Sequence, residues 1–189
     1  MGYEKVIERL KADMPHMLSE KRMRHTAGVR DTALALCRRF GGDTVKAEIA
    51  ALAHDLYRGL RGEDLNKTVR ELGLDEKYLD NPNLAHGKIA AIRLHEDYGV
   101  DDEEILNAVS FHTTGRQGMG HLEKIIFLAD AIEPGRDYPG VEKVRAAADE
   151  SLEKGCLASM LGTIKHVADQ GAYLDDDTIK AAEFLKEYR

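Results

Sequence analysis

The stretch from about residue 121 to 131 limits the fold more than any other. Ile125, Ile126, Leu128 and Ala129 make one side of it almost wholly apolar. Apolar residues at three- and four-residue spacing mark one face of a helix. A helix this apolar is expected at the centre of the molecule, with the other elements wrapped around it.

The rest of the chain supplies those elements. Val6, Ile7 and Leu10 predict an amphipathic helix over about 4–14, which Pro15 should end or bend. Ser19 reads as the N-cap of a helix running through His25 to about residue 40. Its stripe is Val29, Ala33, Leu36, Cys37 and Phe40. Gly41-Gly42 stops that helix, and Asp43 or Thr44 caps the next, over about 45–56. A short helix over about 63–72 precedes the loop signal Asp80-Asn81-Pro82-Asn83. Further helices are expected at about 84–98, 101–112, 141–149, 152–170 and 177–189. No segment alternates in the manner of a strand. The expectation is an all-α bundle of about nine helices in a single domain.

Charge and cysteine usage narrow the function. The net charge is −7, so a general nucleic-acid surface is not expected. An anionic ligand must then be met by a local cluster of cations or by metal. No apolar run approaches the ~18 residues a spanning segment needs, so no membrane partner is expected. The start Met1-Gly2-Tyr3-Glu4-Lys5 lacks the features of a signal peptide. Cys37 and Cys156 offer no disulfide framework and fit reduced thiols in a cytoplasmic protein.

Ala53-His54-Asp55-Leu56 puts a nitrogen ligand beside an anionic oxygen ligand after an alanine-rich run. Neighbours on a helix diverge by roughly 100°, so the pair needs partners from elsewhere. His25, His86, His112 and Asp130 are available, each at or near the end of an expected helix. Imidazoles with carboxylates suit one or two first-row transition metals with positions left for water and substrate. A lone histidine is more often a hydrogen-bonded core residue. His16, His95, His121 and His166 are read as surface or structural.

The order His25, His54-Asp55, His86, His112, Asp130 resembles the HD superfamily of metal-dependent phosphohydrolases. The likeness narrows to its YqeK branch. It is carried by Lys21-Arg22 before His25-Thr26-Ala27-Gly28-Val29, by His86-Gly87 with Ala90, and by a longer run. That run is His112-Thr113-Thr114-Gly115, Met119, Leu122-Glu123-Lys124-Ile125-Ile126-Phe127-Leu128-Ala129-Asp130, Ile132-Glu133-Pro134, Arg136 and Pro139-Gly140-Val141. The resemblance covers about residues 20–170, which implies one HD domain with flanking helices at both ends.

The resemblance implies hydrolysis of diadenosine tetraphosphate in its middle, yielding two ADP, with a di-iron centre. Manganese, zinc and nickel are also compatible with the ligand types. It implies metal binding by His25, His54, Asp55 and Asp130. His86 and His112 complete a second position, and Asp55 bridges. Asp55 and Arg58 carry the catalytic expectation. The family usually has lysine where this chain has Arg58. Arginine stays protonated, so Arg58 is assigned to charge stabilisation rather than proton donation.

Phosphate contacts are expected from Thr113, Thr114 and the backbone of Gly115. Lys88, Arg58, Arg116 and Arg136 are candidate anion clamps. Lys21, Arg22 and Arg24 adjoin His25, but charged helical residues usually face water. Glu133 either holds a ligand histidine or simply ends a helix. The alternatives are another HD phosphohydrolase, acting on a nucleotide, cyclic nucleotide or alarmone, and a non-catalytic metal-binding sensor. The expected partner is a small nucleotide; the oligomeric state is left open, a homodimer included.

Overall fold

A computed structural model describes residues 2–187 of the chain. Ten α-helices and one short 3-10 turn are present among the described residues, and no strand. They are α1 (Tyr3–Met17), α2 (Glu20–Phe40), α3 (Thr44–Ala53), α4 (Gly62–Glu71), α5 (Pro82–Tyr98), α6 (Glu103–Ser110), α7 (His121–Ile132), α8 (Val141–Glu150), α9 (Leu152–Asp169) and α10 (Asp176–Glu187). The 3-10 turn Glu76–Tyr78 lies between α4 and α5. The chain ends of the last expected helix, residues 188–189, lie outside the described residues.

Two helices form the centre. In α7, Ile125, Ile126, Leu128 and Ala129 are all inaccessible to solvent, as its apolar face requires. In α3, Ala47, Ile49, Ala50, Ala51, Leu52 and Ala53 are all buried. Its alanines leave room for neighbours to approach, and α1, α2, α6 and α7 all pack against it. Helix α9 crosses α7 and α8, and α10 closes over α9. A smaller cluster of Leu65, Val69, Tyr78, Ala85 and Ile89 joins α4 and the 3-10 turn to α5.

The caps act locally as their residue types dictate. Ser19 Oγ accepts the Arg22 amide at 3.4 Å, and Asp43 Oδ1 accepts those of Val45 and Lys46 at 2.8 and 3.1 Å. Pro15 neither ends nor visibly shortens α1, which continues to Met17. Met14 and Leu18 are buried on either side, and the Leu18 amide bonds Met14 O at 2.9 Å. Their packing outweighs the single backbone bond that proline removes. No helix among the described residues is long and apolar enough to cross a membrane.

Candidate metal centre

The bundle brings five separate segments to one point. His25 sits in the second turn of α2 and His86 in the second turn of α5. Asp130 lies in the last turn of α7. His54 and His112 lie just past the ends of α3 and α6, where the chain turns. Helix α3 therefore stops sooner than the expected residue 56, and His54-Asp55 enters a tight turn instead of a straight helix. There the Leu56 and Arg58 amides bond the carbonyls of Ala53 and Asp55, three residues back, at 3.1 and 2.9 Å. The turn lets both side chains of the pair face the same site.

Ring orientation is set by bonds on the far side of each imidazole. Nδ1 of His54 lies 2.6 Å from Ala51 O, that of His86 3.0 Å from Pro82 O, and that of His112 2.7 Å from Val109 O. Nδ1 of His25 lies 3.0 Å from Glu133 Oε1. Carbonyl and carboxylate oxygens only accept, so each neutral ring carries its proton on Nδ1. All four Nε2 atoms are then left with a lone pair aimed inward.

Those lone pairs meet carboxylates. Asp130 Oδ1 lies 3.0 Å from His25 Nε2 and 4.0 Å from His54 Nε2. Asp55 Oδ2 is 3.7 Å from both His25 Nε2 and His54 Nε2, while Oδ1 is 3.2 Å from His86 Nε2. Asp55 thus stands between the His25/His54 pair and the His86/His112 pair. Nε2 of His25 and His54 is buried with no hydrogen-bond partner. Such crowding of acceptors is costly unless a cation sits among them. Metal–nitrogen bonds of ~2.1 Å separate adjacent donors by about 3.0–3.4 Å, close to the shorter spacings here. Two groups, His25 with His54 and Asp130, and His54 with Asp55 and His112, have the proximity a metal ion requires.

Electrostatics agree with that donor set. Burial pushes the His54 imidazole below its ordinary value and, with His86 and His54 beside it, takes His112 down to about 3. Burial would raise both carboxyls. His54 and His86 hold Asp55, and His25 and Arg136 hold Asp130, well below the usual carboxylate range. For His25 burial lowers the pKa, but the neighbouring carboxylates of Asp130 and Glu133 outweigh it and the net shift is upward.

The expected phosphate-binding residues divide into two groups. Thr113 stays at the site, its Oγ1 3.1 Å from His112 Nε2. Thr114 lines the same cleft, with its hydroxyl donating to Gly115 O at 2.8 Å. Arg58 also lines the cleft: its guanidinium donates to Pro82 O and Asn83 Oδ1, and its Nε is 3.9 Å from Asp55 Oδ1. Arg136 donates from Nε to Asp130 O at 2.7 Å and from Nη2 to Asp130 Oδ1.

The others turn elsewhere. Arg116 makes a two-pronged pair with Glu123, both bonds 2.7 Å. Lys88 Nζ lies 3.2 Å from the centre of the Phe111 ring, where burial takes its pKa down to about 8. Neither lines the cleft over the ligands. Gly115 has φ +66, and a Cβ there would overlap Met160, so its role in this structure is backbone packing.

Two further groups take part. Arg22 Nη1 donates to Asp55 Oδ2 at 2.7 Å, although Lys21 and Arg24 near it on α2 are exposed. A clue was present in the sequence: Arg22 and His25 are three apart, and that spacing shares a helix face. Glu133, 5% exposed, receives the Gly135 amide at 2.6 Å and holds His25, and it also ends α7 as its C-cap, so both readings of it apply.

Comparison with known proteins gives the family. The HD domain family matches residues 22–135. The chain is 40% identical over 166 residues to the symmetrical bis(5'-nucleosyl)-tetraphosphatase of Halalkalibacterium halodurans, covering 87% of this chain and 88% of that protein. Identity to the Bacillus subtilis protein of the same name is 38% over 175 residues, covering 92% of this chain and 94% of that one. A crystal structure from Clostridium acetobutylicum, named a predicted HD superfamily hydrolase involved in NAD metabolism, has a TM-score of 0.88 at 42% identity. That match covers 100% of this chain and 99% of the other.

Proposed function

The chain belongs to the HD domain family, and from that membership we propose that it hydrolyses bis(5'-nucleosyl) tetraphosphates symmetrically, diadenosine tetraphosphate giving two ADP. The observation that carries this is the convergence of His25, His54, Asp55, His86, His112 and Asp130 on one buried point, in a chain whose relatives bear that activity's name.

His25, His54, Asp55 and Asp130 would hold one divalent ion, and His86 and His112 with Asp55 a second; an iron pair is the proposed native form, with manganese, zinc or nickel as substitutes. Such ions supply Lewis acidity and lower the pKa of water. The chain's own groups do the rest. Arg22 fixes the orientation of Asp55, and Glu133 fixes His25. Arg58 and Arg136 set positive charge along the cleft, where charge builds on the attacked phosphate. Thr113 offers a hydroxyl beside the His86/His112 pair. Oxygen from water bonds the attacked phosphorus as its bond to the central bridging oxygen breaks, and ADP departs.

We read the chain as one HD domain working in the cytoplasm on a small nucleotide, a setting that its two free thiols, Cys37 and Cys156, fit. The test is incubation of the metal-loaded protein with diadenosine tetraphosphate and chromatography of the products. ADP alone is expected. ATP with AMP, or unchanged substrate, overturns the proposal.

A further inference from the structure

Two clefts open beside the candidate ligands. The first, about 610 Å³, runs from Asp55, His86 and Asp130 out to Val167 and Tyr173. The second, about 770 Å³, runs from His25 and Glu133 along Lys21 and Arg24 to Tyr138. Arg22 and Arg136 line both, so the clefts adjoin at these two arginines, which hold Asp55 and Asp130. Each is of the size that takes a nucleotide.

Each cleft also carries one tyrosine, Tyr173 in the first and Tyr138 in the second. Tyr173 is 59% exposed, one of three large hydrophobic residues so placed among the described residues, and core packing does not explain it. The loop that presents it is held. Asp175, 3% exposed, pairs with Lys77 at 2.9 Å, and the Ala172 amide donates to Val167 O at 3.1 Å. Tyr138 is half-buried, and its hydroxyl donates to Ala131 O at 3.0 Å, which fixes its ring. A nucleobase gains by laying its flat face on such a ring, whatever its sequence of polar edges.

We propose that the two bases of the substrate stack on Tyr173 and Tyr138, one in each cleft. The polyphosphate then crosses the shared stretch between Arg22 and Arg136, with equal halves on either side. This assignment rests on the tetraphosphatase reading and gives a physical reason for a cut in the middle: the catalytic groups lie between two similar nucleotide sites.

Binding of ADP tests it without requiring turnover. Metal-loaded wild type, Tyr173→Ala, Tyr138→Ala and Tyr173→Phe are titrated with ADP and with inorganic pyrophosphate by calorimetry. Each alanine variant is expected to weaken ADP binding about tenfold at one of two sites, the scale of one lost base–ring stack. Pyrophosphate binding stays unchanged, and Tyr173→Phe binds ADP as wild type does. Unchanged ADP binding, an equal loss for pyrophosphate, or a loss confined to one tyrosine overturns the assignment. If ADP behaves as expected while the tetraphosphate yields ATP and AMP, the symmetrical reading fails and the base sites stand.

Discussion

Nε2 of His86 and Nε2 of His112 face each other at 2.9 Å, although Nδ1 of each ring already has a backbone carbonyl as its partner. Two lone pairs at that distance repel, and the fold maintains the contact by burying both rings to 3% exposure. A cation shared between them removes the repulsion. Wild-type protein purified without chelator should contain close to two metal equivalents by elemental analysis, and His112→Ala distinctly fewer. His54→Ala should lose both metal and hydrolysis. Full metal content in both variants would refute the ligand assignment.

Gly28 lies where α2 passes Glu133, and a Cβ added there would come within 2.6 Å of Glu133 Oε2. Gly28→Ala must therefore displace the carboxylate that holds His25. Loss of such an outer partner typically costs roughly 10–100-fold in metal affinity. Competition with a chromogenic chelator should report that drop for Gly28→Ala and for Glu133→Gln alike. If Gly28→Ala binds metal as wild type does, the His25–Glu133 bond is not what orients the ring.

Arg22 bonds Asp55 from the solvent side and supplies no ligand atom. With metal in excess, Arg22→Ala should still show kcat/KM lowered on the order of 100-fold, the scale for removing one charge-stabilising donor. Arg22→Lys, which keeps the charge but not the fork, should recover only part of it. Steady-state kinetics beside elemental analysis separates this outcome from a simple loss of metal.

The metal-free protein should weaken in mild acid. His54 and His112 are held below the ordinary imidazole value, His112 at about 3. The unfolded chain takes up protons at these rings near pH 6.5, and the folded chain does not. Their contribution to stability is whole above about pH 6.5 and falls away as pH drops toward the folded values. Asp55 and Asp130, also lowered, act with the same sign below about pH 4. His25 is raised and acts oppositely: its contribution is present below about pH 6.5 and lost as pH rises through its folded value. With two lowered histidines against one raised, the urea midpoint of chelated protein should be lower at pH 5 than at pH 7.5. An equal or higher midpoint at pH 5 would contradict the balance.

Leu128 is fully buried in α7, and α9 passes it closely enough that a Cβ on Gly155 would come within 2.9 Å of its Cδ2. Leu128→Ala leaves a cavity at the junction of α7 and α9 and should cost about 2–5 kcal/mol. Chemical denaturation measures it. A loss below about 1 kcal/mol would mean that α7 is less central than its burial indicates.

Much of this architecture is a local property of the sequence. The stripe of α7, the caps Ser19 and Asp43 and the stop at Gly41 act within a turn or two of themselves, so their spacing determined where helices form. The order of histidines and aspartates likewise picked out six residues that the fold brings together. Tertiary structure decided the rest. Arg22 turns inward while Arg116 is taken by Glu123 and Lys88 by Phe111, a choice among rotamers that depends on residues far away in the chain. Pro15 stays helical because Met14 and Leu18 are buried around it. The inward lone pairs of His25, His54, His86 and His112 depend on where Glu133 and three carbonyls lie once the helices have packed. Periodicity fixes which face of a helix is apolar; only the packing of one helix on another fixes what a polar side chain on that face will meet.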